Sequence, residues 1–87
     1  MAALLSPLAA DIIGLTGSAM MVAAYAYSNM ASQMNFTAFN LVNLVGSLLL
    51  IASLTVHFNI AAMAMEIVWT AIAILGLAKS LRKRVRP

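Results

Sequence analysis

Apolar positions along this chain run in three long blocks, with polar positions gathered between them. The blocks cover about residues 8–28, 36–56 and 60–79. Each is close to the ~20 residues that a helix rising ~1.5 Å per residue needs to cross ~30 Å of hydrocarbon. Strands of a membrane barrel would be about half as long and would alternate apolar with polar residues, and these blocks do not alternate. Inside lipid every backbone amide must be paired within its own segment, which leaves only the helix. The pattern therefore predicts an all-α fold, a transmembrane three-helix bundle forming one integral membrane domain over residues 1–87. The link Asn29–Asn35 is polar and uncharged. The link His57-Phe58-Asn59 is so short that helices two and three must be antiparallel neighbours.

Composition excludes the other classes. Hydrophobic residues make up 64% of the chain and charged residues 8%, against about 45–50% and 25% in ordinary globular proteins. A soluble domain this small leaves a large share of its surface in water, and this chain lacks the polar groups to cover it. Disordered chains are poor in apolar residues, so disorder is excluded as well. With no cysteine there is no disulfide framework, thiolate metal site or cysteine nucleophile, and no cofactor is expected. Met1–Pro7 lacks the basic segment of a secretory signal, so the chain is expected to enter the bilayer on its own helices.

Charge placement sets the expected orientation. All five bases, Lys79, Arg82, Lys83, Arg84 and Arg86, lie within residues 79–87. Beside an apolar helix such a basic tail is a topology signal or an anchor to anionic lipid headgroups, and no nucleic-acid partner is expected. The tail is expected in the cytoplasm of a bacterium whose inner membrane the chain crosses three times. The N-terminus and the His57 turn then face outward.

Polar residues inside the blocks are the candidate chemistry. Gly14, Gly17 and Ser18 in helix one, with Gly46 in helix two, read as helix packing, because small residues let neighbouring backbones approach. Tyr27 reads as an interfacial anchor, and Tyr25 lies deep enough to call for an internal partner. Asn40, Asn43 and Ser47 share one face of helix two. A bare amide in hydrocarbon costs several kcal/mol, so this face must meet protein or water. It either bonds a neighbouring helix or lines a polar cavity.

Glu66 is the most informative residue. It lies about 9 Å into helix three at 1.5 Å per residue, too deep for a headgroup contact. An acid at that depth faces the bundle or water and is by default a functional candidate. Thr70 continues its face, and Trp69 borders it. The alternative is that Glu66 is protonated and bonded to Thr16, Ser18 or Ser53. The seven methionines are scattered and read as adaptable packing, not as a copper site. Asp11, His57 and a serine could be drawn as a triad, but nothing in the sequence positions them together, and no enzymatic activity is expected.

Ile13-Gly14 opening helix one, the polar second helix with Gly46, the short outer turn and a polar residue early in helix three resemble the bacterial SemiSWEET half-transporters of the PQ-loop group. The likeness covers about residues 12–82. It implies a bundle in which helix three packs between helices one and two. It also implies two bundles paired in parallel around a path for a small sugar-like solute. Without gaps, Tyr27-Ser28 stands where that family has its Pro-Gln pair, Leu50 where it has a solute-contacting Trp, and Glu66 where it has a pocket Asn. The chain would be a divergent member.

Taken together, these residues lead to an expected homodimer of three-helix bundles that passes a small polar or cationic solute. Glu66, Asn43, Trp69, Asn40 and Thr70 would be its contacts. An accessory subunit of a larger membrane complex and a holin-like pore former are the other readings.

Overall fold

The computed structural model of the protein describes residues 5–85. Its described residues form three helices, α1 (Pro7–Met30), α2 (Phe36–Leu54) and α3 (Ile60–Val85), and no strands. Each is long and apolar enough to span a membrane. At ~1.5 Å per residue they extend roughly 28–39 Å, which covers the hydrocarbon slab. The long dimension of the molecule is 48 Å, more than the ~30 Å thickness of a hydrocarbon core.

Local chemistry sets the helix starts. Ser6 caps α1, its Oγ accepting from the Ala9 amide at 3.1 Å. Pro7 follows at the first helical position, where a missing N–H costs nothing. Asn35 caps α2 through the Ala38 amide at 3.0 Å. The Asn59 side chain does the same for α3 through the Ala62 amide at 3.1 Å. Each cap satisfies a donor that the first turn would otherwise leave bare in an apolar setting.

The third helix corrects the sequence-based boundary. It does not stop at Lys79 but continues through the basic run to Val85. Lys and Arg are good helix formers, and a positive charge is favourable at a helix C-terminus. The stretch from 79 is thus largely helix and not a tail. The side chain of Arg84, and Arg86 altogether, lie outside the described residues.

The order of packing differs from the one the half-transporter resemblance implies. Here α2 is the middle helix. It packs against both others, and no α-carbon of α1 comes within 8 Å of one in α3 among the described residues. The reason lies in α2 itself, which carries small or polar residues on two faces. Gly46 and Ser53 meet α1 at Gly17 and Gly14, while Thr37 and Asn40 meet α3 at Ser80 and Gly76. With connections of only five residues at each end, both neighbours run antiparallel to α2.

The α1–α2 seam is built from small residues. Ala10, Gly14, Gly17 and Ala24 are its buried positions on α1. A Cβ on Gly17 would lie 2.6 Å from the Gly46 carbonyl oxygen, and one on Gly46 would lie 2.9 Å from the Gly17 oxygen. The two backbones touch, which is how helices attract each other where lipid offers no hydrophobic driving force. Ser18 is only half-buried and flanks this seam.

Candidate functional site

Along α3 the half-buried or buried positions are Ala62, Met63, Glu66, Thr70, Ala73, Gly76, Leu77 and Ser80. This spacing of three and four is one helical stripe, and it lies on α2. The pairing descends in register from the basic end. Thr37 Oγ1 and Ser80 Oγ share a hydrogen bond of 2.9 Å. A turn deeper, Gly76 makes room for Asn40, whose Oδ1 would be 2.5 Å from a Cβ added at that glycine. Deeper still, the Glu66 carboxyl lies beside Ser47.

Ser47 is where the three helices converge. Its side chain has no exposed surface. Its hydroxyl donates to the Met21 sulfur of α1 at 3.8 Å, while Glu66 of α3 approaches from the other side. The Glu66 Oε1 and Thr70 Oγ1 atoms are both buried and have no hydrogen-bond partner among the described residues. In hydrocarbon such orphaned groups are expensive, and each calls for an explanation.

The sequence-based partners of Glu66 are corrected here. Thr16 donates to the Ile12 carbonyl of its own helix at 2.8 Å. Ser53 is taken up under Gly14, with its Oγ 2.6 Å from where a Cβ would sit. Depth alone points to these residues, but Ser53 belongs to the α1–α2 seam, Ser18 flanks it, and Thr16 is exposed on α1. Ser47 was legible on the polar face of α2, yet its closeness to Glu66 depends on the packing order.

The remaining predicted residues are placed as follows. Asn43 is 6% exposed, and its Nδ2 donates to the Phe39 carbonyl at 3.2 Å. Asn40 likewise donates to its own helix, at the Phe36 carbonyl, 2.9 Å away. Thr70 and Glu66 lie on the stripe of α3 that faces α2, with Asn40 at its basic end, and Asn43 stands between Asn40 and Ser47 on one face of α2. Trp69 is 41% exposed and borders the stripe from outside. Tyr25 does not find an internal partner. It is 68% exposed near the end of α1, the level of an interfacial aromatic belt. Tyr27 is an anchor of a different kind, its hydroxyl accepting from the Asn35 amide at 2.7 Å and so tying α1 to the start of α2.

At the opposite end the structure joins two residues that the sequence left apart. His57 Nε2 lies 3.0 Å from Asp11 Oδ1, linking the first turns of α1 to the α2–α3 turn. The Asp11–His57 pair has no serine hydroxyl bonded to it among the described residues, and Ser6 is committed to its cap. No group of three or more metal-ligating side chains exists among the described residues.

The sequence profile of one protein family matches residues 10–84. The chain belongs to this uncharacterised family. No curated protein and no solved structure matches it. The family's matched stretch contains both seams, the buried Glu66–Thr70 pair and the Asp11–His57 pair.

The Asp11–His57 pair is half exposed on both sides, so it contributes only a few tenths of a kcal/mol to about 1 kcal/mol. Asp11→Asn should lower the stability of the purified protein by no more than that. Thermal unfolding in detergent at low salt and again near ~1 M salt checks this, because screening at the higher salt should erase the difference.

Proposed function

We propose that this chain acts as a homodimer in a bacterial inner membrane, its basic end cytoplasmic, and passes a small polar or cationic solute. In this reading it is not an enzyme. Glu66 is the charge partner or proton carrier, with Thr70, Asn43 and Ser47 beside it. The observation that supports it is the pair of buried, orphaned oxygens at Glu66 and Thr70, about 9 and 15 Å in from the start of α3 at 1.5 Å per residue. An ionisable side chain within the membrane is by default the mark of an ion or solute path. Three helices are too few to enclose a path and alternate its access, and a second copy supplies the missing wall. The reading rests on Glu66 and not on the half-transporter resemblance, whose helix order is different.

A second reading has its own support. The Thr37–Ser80 hydroxyl pair and the Asn40 side chain against Gly76 hold α2 against α3 through polar groups. If Glu66 is satisfied in the same manner by a helix of another protein, the chain is an accessory subunit.

Flux in reconstituted vesicles separates the two. Wild type should dissipate an imposed proton gradient, or take up members of a panel of small cationic and neutral polar solutes. Glu66→Gln, which keeps the shape and removes the charge, should cut that flux about tenfold, equivalent to about 1.4 kcal/mol. Equal flux by both proteins at every pH would remove Glu66 from the path. No flux by wild type, together with a heteromeric partner retained on mild extraction, would establish the accessory reading.

A further inference from the structure

At the basic end, α2 and α3 enclose a cavity of about 200 Å³ lined by Phe36, Asn40, Gly76, Lys79, Ser80 and Lys83. We propose that this cavity is a seat for the phosphate of an anionic phospholipid, held by Lys79 and Lys83.

The cations are uncompensated. The chain has two acids. Asp11 is engaged by His57 at the far end of the bundle. Glu66 precedes Lys79 by thirteen residues on the same helix, or about 20 Å at 1.5 Å per residue. Among the described residues, therefore, no Asp or Glu carboxylate reaches either lysine. Lys79 and Lys83 stand one turn apart on α3, so both ammonium groups can close on one oxyanion.

The opposite wall favours an anion as well. The cavity borders the first turn of α2, where Thr37 is tied to Ser80 at 2.9 Å. Asn35 accepts from the Ala38 amide through its side chain and from the Phe39 amide through its backbone. The amides of Phe36 and Thr37 are left without a partner in the described chain, at the positive end of the helix dipole. This helix end only adds to the two lysines and the cavity that they line.

The shape argues for lipid over free phosphate. Phe36, Ser80 and Lys83 lie at the end of the bundle, while Asn40 and Gly76 lie about one turn further in. The cavity thus begins at headgroup level and runs inward, where glycerol and the first acyl carbons continue from a lipid phosphate. Exposed Phe36 offers its ring to that apolar portion. Arg82 is exposed, carries the same charge and does not line the cavity.

The test uses the full chain in neutral detergent, with binding read by native mass spectrometry and by thermal stability. Probes are phosphatidylglycerol, phosphatidylcholine and inorganic phosphate. Phosphatidylglycerol should bind and raise the melting temperature, with phosphatidylcholine and inorganic phosphate having little effect. Lys79→Gln and Lys83→Gln should each weaken phosphatidylglycerol binding about tenfold, the size of one charge-assisted hydrogen bond. Arg82→Gln removes the same charge from the same helix and should stay within about twofold of wild type. Equal losses in all three variants would overturn the seat, leaving diffuse attraction to a basic surface. Saturation by inorganic phosphate alone would overturn the lipid assignment in favour of a free-anion site. Equal binding of phosphatidylcholine would overturn the anionic requirement.

Discussion

Gly17→Leu is expected to part α1 from α2. At this position an added Cβ meets the Gly46 carbonyl oxygen at 2.6 Å, the Leu49 Cβ at 3.0 Å and the Leu50 amide nitrogen at 3.2 Å. Two of these three obstacles are backbone, so no rotamer change relieves the contact, and the helices must separate. Separation forfeits the dispersion along Ala10, Gly14 and Ala24 as well, because the stripe is continuous on α1. Overpacking of a well-filled core typically costs about 1–3 kcal/mol, and a backbone clash belongs at or beyond the top of that range. Loss of monodispersity on heating in detergent measures it. Ala19→Leu is the matched control, since Ala19 is exposed on the same helix and a leucine there faces lipid. If the two variants melt together, the α1–α2 contact at Gly17 is not the one described.

The second large effect concerns stability and activity in opposite directions. Glu66→Met keeps much of the side-chain volume and removes an oxygen that is buried without a partner. Leaving a polar group unsatisfied costs about 1–3 kcal/mol, and replacing it with an apolar group of similar shape recovers much of that. The variant should therefore melt higher than wild type while losing flux, the trade expected where a site is kept polar for its task. Thermal unfolding in detergent and vesicle uptake on the same preparation check both halves. A lower melting temperature would mean that Glu66 is already satisfied within the purified protein, by Ser47 beside it or by a second copy, and would overturn the orphaned oxygen.

Hydropathy alone delimits the three spans, and their starts at Pro7, Phe36 and Ile60 fall within a residue of the expected positions. Block boundaries are local properties: about twenty apolar residues in lipid have no alternative to a helix. Helix α3 runs past the expected end at residue 79. Lysine and arginine end the hydrocarbon segment, yet they do not end the backbone hydrogen bonding. In the sequence Gly76 is one more small residue in an apolar run. Its role is defined only by Asn40, which stands opposite. Asp11 and His57 are 46 positions apart, and only the fold brings them within bonding distance.

The amino-acid order thus determined that the chain forms three helices long and apolar enough to cross a membrane, that small residues stripe α1, that the bases crowd one end, and that an acid stands within the apolar run of α3. The tertiary structure decided that α2 stands in the middle, that Glu66 meets Ser47 and not Thr16 or Ser53, and that Lys79 and Lys83 border a cavity. The physical reason is that insertion depends on each segment's own affinity for lipid, a sum over single residues. Choice of neighbour does not, since acyl chains are as apolar as leucine, and it turns on how closely particular pairs of backbones and side chains can fit.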